Sequence, residues 1–179
     1  MKTALALHFV LILLLTQSTM NAQNWETPII EGYGKIVHYD NAQNKPDPSK
    51  VYKIIFHIKE GKEREAVNEG LWKIARLINL MGSYKVPQEN LKIVAIVSGT
   101  ATPFVLTDKA HQLRAHRDNP NLDLLSKLKN HDVKILVCGQ ALAKHKIEAE
   151  DDLNPYIEIT TSALVAIPSY QMEGYMPMF

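Results

Sequence analysis

The chain has 179 residues, 46% of them hydrophobic, with a formal net charge of +1. That length gives one domain room for a substantial core, and the near-neutral balance argues against nucleic acid as a main partner, because phosphate backbones select basic surfaces. A single cysteine, Cys138, excludes an internal disulfide, so the fold must rest on its hydrophobic core.

Residues 1–22 read as a secretory signal peptide. Lys2 forms a short basic start, and Ala4 to Leu15 is apolar apart from His8. A polar stretch, Thr16 to Asn21, leads to Ala22, a small residue suited to cleavage. Lys2 is the only formal charge in this leader, so the rest of the chain balances to zero. The apolar run is too short and too weakly flanked for a stable membrane span, and no later run is long enough to cross a bilayer. A periplasmic or secreted location is expected.

Residues 23–50 hold Pro28, Gly32, Gly34, Pro46 and Pro48 with several Asn and Gln. They predict an extended N-terminal arm, free to dock on a neighbouring subunit. Ile29-Ile30 and Ile36-Val37 are candidates for short edge strands. Residues 51–179 form the domain proper. Val51 to His57 predicts a first strand. Glu63 to Met81 predicts a helix, with Val67, Leu71, Ile74, Leu77, Ile78 and Met81 at helical spacing and Gly82 as its stop. Leu91 to Val97 is apolar at nearly every position, which predicts a strand buried on both faces of a parallel sheet.

Ser98-Gly99-Thr100 ends that strand. Asp108 to Arg117 predicts a helix, and Asp118-Asn119-Pro120 breaks it. Leu122, Leu125 and Leu128 mark another. Val133 to Cys138 predicts the third strand, and Ala141 to Lys146 a short helix. Glu150 to Leu153 reads as a turn and Tyr156 to Ile159 as a fourth strand. Thr161 to Glu173 predicts a helix kinked at Pro168. Gly174 stops it, and Tyr175 to Phe179 gives a last strand. Alternating strands and helices predict a three-layer α/β/α fold on a mostly parallel five-stranded sheet.

This order puts chemistry-bearing residues at the carboxyl ends of three strands, the edge where open α/β sheets bind ligands. Cys138 is the candidate catalytic residue. It ends a strand and precedes a helix, where unpaired backbone N–H groups favour thiolate over thiol. Gly139 and Gln140 are candidates to supply those groups, with Lys144 and His145 as nearby cations. Core packing explains a lone cysteine equally well. His57 is a candidate ligand-binding residue that could tune the thiol, and Ser98, Gly99 and Thr100 could cradle an anion. Both also read as an ordinary strand end and loop, since the loop lacks phosphate-loop spacing. A Cys–His hydrolase needs an oriented base, and His57, His111, His116, His131 and His145 all remain open for that role. No metal site is expected: His111 and His116 lie five apart, off one helix face, and one cysteine supports no thiolate site. No cofactor is implied.

These residues together resemble the DsrE/DsrF-like sulfur-relay family. The resemblance runs from about Val51 to Phe179. It is carried by the opening strand Lys53 to His57, the helix bearing Asn68, the strand-cysteine turn Val133 to Leu142, the acidic turn Glu150 to Leu153 and the ending Gln171 to Tyr175. It implies the three-layer fold, homo-oligomers, commonly trimers or hexamers, and a cysteine at position 138 that accepts sulfur as a persulfide and passes it on. Donor and acceptor would be a partner protein or a small sulfane-sulfur species. The leader sets this chain apart from relay members that act inside the cell. The alternative reading is an oligomeric module of the same fold that binds a small ligand or is purely structural, with Cys138 packed.

Overall fold

The computed structural model describes residues 23–147 and 150–178. The leader at 1–22 and Phe179 lie outside the described residues.

Five parallel strands form the sheet, in the spatial order β6-β5-β4-β1-β7. They are β1 (Tyr52–Ile58), β4 (Leu91–Val97), β5 (Lys134–Cys138), β6 (Ile157–Thr160) and β7 (Met176–Met178). The helices are α1 (Glu69–Ser83), α2 (Asp108–Ala115), α3 (Leu122–Asn130), α4 (Gly139–Lys144) and α5 (Ala163–Met172). Alternation along the strands sorts the core into two layers. Ile54, Phe56, Ile93, Ala95, Ile135 and Val137 face α1 and α3. Ile55, Val94, Ile96, Leu136 and Cys138 face Ala163 and Ala166 of α5. This is the three-layer α/β/α arrangement.

Two details of α1 differ from the periodic pattern. The helix begins at Glu69, not Glu63, because Glu63–Arg64 (β2) and Val67–Asn68 (β3) form a small hairpin. Its turn residues Glu65 and Ala66 both take positive φ, as a two-residue hairpin of the I′ kind requires. Asn68 then caps the helix, its side chain accepting from the N–H groups of Gly70 and Leu71. Val67 keeps helical spacing with Leu71 because it is buried just before the cap. Gly82 lies inside the helix rather than ending it. A Cβ there would meet Ile29 at 2.4 Å, so the glycine makes room for the arm.

The arm has no element of its own beyond a single antiparallel bridge between Glu26 and Ile36, so the expected edge strands do not form. It packs against its own chain. Ile30 and Ile36 are buried in its own chain. Asn79 of α1 accepts from the N–H groups of Ile29 and Ile30 and donates to the carbonyls of Tyr33 and Gly34. Arg76 stacks between Trp25 and Trp72.

The segment after β4 is also more ordered than a loop. Gly99–Val105 is a 3-10 helix. Elsewhere the helix α4 starts at Gly139, directly on the cysteine, and α5 runs through Pro168.

Candidate functional site

Side chains of His57, Ser98 and Cys138 all emerge on the α5 face of the sheet, at its carboxyl edge. The strand register makes this so: Ile55, Val94, Ile96 and Leu136 of the same face precede them at even spacing. His57 Nε2 lies 2.9 Å from Ser98 Oγ. Burial, with Lys59 beside it, holds this imidazole below its ordinary pKa, which favours the neutral ring. β4 stands between β1 and β5 and His57 is level with Leu136, so His57 and Cys138 are two strand spacings and two residues of register apart, about 12 Å in the backbone.

Cys138 is 5% exposed. The Ala163 N–H donates to its sulfur at 3.3 Å. Burial pushes the Cys138 thiol up, but the N–H groups of Ala163, Ala141 and Gln140 and the Ser162 hydroxyl outweigh it, and the thiol lies below its ordinary value. Donors from the starts of two helices, α4 and α5, therefore converge on one sulfur. The reason is local. A strand that ends into a helix with no spacer leaves the first N–H groups of that helix unpaired beside the preceding side chain. The parallel neighbour β6 delivers a second helix start to the same place, through the Cys138–Thr160 register.

Other expected contributors are placed differently. Lys144, His145 and His57 are not among the groups that shift the thiol. His145 instead turns its Nε2 to the Gly99 carbonyl, 2.8 Å away. The Gly139 N–H does not reach the sulfur. That residue matters for closeness, since a Cβ there would sit 3.2 Å and 3.3 Å from the carbonyls of Thr160 and Thr161. Gln140 contributes its N–H to the thiol, and its side chain holds the Thr161 carbonyl. Gly99 takes φ +57, and Thr100 Oγ1 accepts from Gly61 N–H and donates to Lys59 O. The 98–100 turn thus stitches β4 to the loop after β1. The sequence reading missed Ser162 and Ala163. A serine just before an apolar helical run is an N-cap signature that could have found them.

A cleft of about 700 Å³ adjoins this edge, lined by His57, Lys59, Glu69, Lys73, Ile167 and Met178 among others. It opens because pairing with the described residues of β7 ends at Phe56, leaving His57 and Ile58 beyond the pair. Cys138 does not line it. Among the described residues no group of three His, Cys, Asp or Glu converges to hold a metal ion. No helix among them is long and apolar enough to cross a membrane.

The model of the DsrE/DsrF-like family matches residues 50–177. The chain belongs to the DsrE/DsrF-like family. No curated protein matches it. Among solved structures, a protein of unknown function from Methanobacterium thermoautotrophicum, MTH1491, is similar with a TM-score of 0.55 and 20% identity, over 71% of this chain and 97% of that one. At that identity the likeness supports the fold.

Proposed function

We propose that this DsrE-like protein carries sulfane sulfur on Cys138, working as a homo-oligomer in the periplasm or outside the cell. The observation that carries the reading is the Ala163 N–H donated to the Cys138 sulfur at 3.3 Å, with the N–H groups of Ala141 and Gln140 and the Ser162 hydroxyl nearby also favouring an anion there despite burial. A merely packed thiol needs no such set. Only 5% of Cys138 is exposed, so a small polysulfide anion suits it better than a bulky donor protein. The thiolate attacks a sulfane sulfur of the polysulfide. A new S–S bond forms, the old one breaks, and its electron pair leaves on the shortened polysulfide. An acceptor thiolate then takes the outer sulfur and releases the Cys138 thiolate. No net oxidant is needed. The Ala163, Ala141 and Gln140 N–H groups stabilise the negative Cys138 sulfur in the resting form and again as it leaves the persulfide.

Oligomerisation is supported by α5 and its surroundings. From Thr161 to Met172 there is no charged residue. Leu164 is 86% exposed and Met172 83%, with Val165, Met176 and Ile159 also exposed. A helix apolar on all sides is a helix to be buried. An uncharged patch meets its own copy without repulsion, as an isologous contact requires. The export assignment rests on the leader alone.

Alkylation of the native protein across pH tests the carrier reading. A rate midpoint below about 8.5, the ordinary thiol value, supports it. No labelling until the protein unfolds leaves Cys138 a core residue and the alternative, a binding or structural module, in its place.

A further inference from the structure

The cleft beside β1 takes no part in the thiol chemistry, since Cys138 does not line it. Its volume of about 700 Å³ falls within the range of small-molecule sites, roughly 300–1,000 Å³. Ile55, Phe56 and Ile58 of β1, Ile167 of α5, and Pro177 and Met178 of β7 give it an apolar wall.

The charged part of the lining nearly balances. Lys59, Lys62 and Lys73 stand against Glu60 and Glu69. Glu69 already holds Lys62 at 3.1 Å and Lys73 at 3.7 Å. That leaves Lys59 and Glu60, chain neighbours of opposite sign, so the lining does not select a charged ligand.

His57 supplies the directional group. Its Nε2 lies 2.9 Å from Ser98 Oγ. Ser98 is 9% exposed, and its hydroxyl has no other partner among the described residues. A hydroxyl so enclosed donates to the one acceptor it meets. Nε2 of the neutral ring therefore accepts, and Nδ1 carries the ring proton. The opposite tautomer would strand the Ser98 proton. Nδ1 itself has no partner among the described residues, and the ring lines the cleft. The cleft thus offers an N–H, fixed as a donor by Ser98, beside an apolar wall. We propose that it binds an uncharged, largely apolar molecule through a carbonyl oxygen that accepts from His57 Nδ1. This site is independent of sulfur carriage.

The test titrates the mature chain with acetophenone, with ethylbenzene, which lacks the carbonyl, and with benzoate, which adds a charge. Calorimetry and the His57 ring signals in NMR follow the binding. Saturable binding of acetophenone about fivefold tighter than ethylbenzene is expected, the factor that one net hydrogen bond supplies, with the ring signals moving and benzoate weaker than acetophenone. Gln171→Trp, which fills the cleft from an exposed position in its lining, should abolish it. His57→Phe keeps a ring and removes the donor, and should erase the difference between acetophenone and ethylbenzene. Cys138→Ser should leave binding unchanged, and a loss there would put the ligand at the thiol and overturn the site. Absence of saturable binding, equal affinities for acetophenone and ethylbenzene in the parent protein, tighter binding of benzoate, or binding indifferent to Gln171→Trp would also overturn it, even if His57→Phe fails to fold.

Discussion

The backbone N–H of Ala163 donates to the sulfur of Cys138 at 3.3 Å, across 25 residues of chain. The contact ties the start of α5 to the end of β5 and makes the helix cap part of the thiol's surroundings. Ser162 caps that helix by accepting from the Leu164 N–H, and its hydroxyl also favours the thiolate. Ser162→Ala should therefore do two things at once. Loss of the cap should cost about 0.5–2 kcal/mol of stability, read by urea unfolding. The thiol pKa should rise, read by alkylation across pH. A destabilised variant with an unchanged thiol pKa would detach the cap from the chemistry.

The depressed pKa values of Cys138 and His57 act on stability in separate pH windows. For Cys138 the folded value lies below the unfolded one, so its contribution is complete above the unfolded thiol value of about 8.5 and is lost as pH falls through the folded value. For His57, also depressed, the contribution is complete above about 6.5 and is lost as pH falls through its folded value. Unfolding free energy should drop on acidification below about pH 6.5, and His57→Gln should flatten that drop. An unchanged slope in His57→Gln would assign the acid sensitivity to other groups.

The arm should fail through Asn79. This side chain, 0% exposed, meets four backbone groups of residues 29–34. Asn79→Ala leaves them unpaired, and at about 1–3 kcal/mol per stranded group, partly relieved by solvent, a loss of about 2–4 kcal/mol is expected. Limited proteolysis should then cut between Trp25 and Ile36 before the sheet. A loss under about 0.5 kcal/mol, below the value of one hydrogen bond, would show that the arm is held by Ile30 and Ile36 alone.

Exposed Leu164 and Met172 should hold copies together. Light scattering of the mature protein should give at least twice the monomer mass, and Leu164→Glu with Met172→Glu should reduce it, because burying a carboxylate in an apolar contact is costly. A parent protein that is a monomer at micromolar concentration contradicts the oligomer. An unchanged mass in the double variant moves the contact to another face.

Local patterns made most of the fold legible. Continuous apolar runs at Leu91–Val97 and Val133–Cys138 marked buried parallel strands, and Leu122, Leu125 and Leu128 marked α3. The hairpin at Glu63–Asn68 escaped because its turn uses Glu65 and Ala66 at positive φ, where Gly or Asn usually give the signal. Gly82 was misjudged because its purpose is long-range: it admits Ile29, 53 positions earlier. The same distinction divides the site. That Cys138 meets a helix start was visible in its own neighbours. That Ser162 and Ala163 complete the donor set was not, because only the β5–β6 register brings them there. Lys144 and His145 lie close in sequence but do not shift the thiol, so charge proximity along the chain was a poor guide.

Intact-protein mass spectrometry of the native mature chain after exposure to polysulfide tests sulfur carriage most directly. The predicted result is a gain of one sulfur atom, removed by dithiothreitol and absent in Cys138→Ser. No gain in the folded protein, or a gain seen only once it is unfolded, would contradict a carrier role for Cys138.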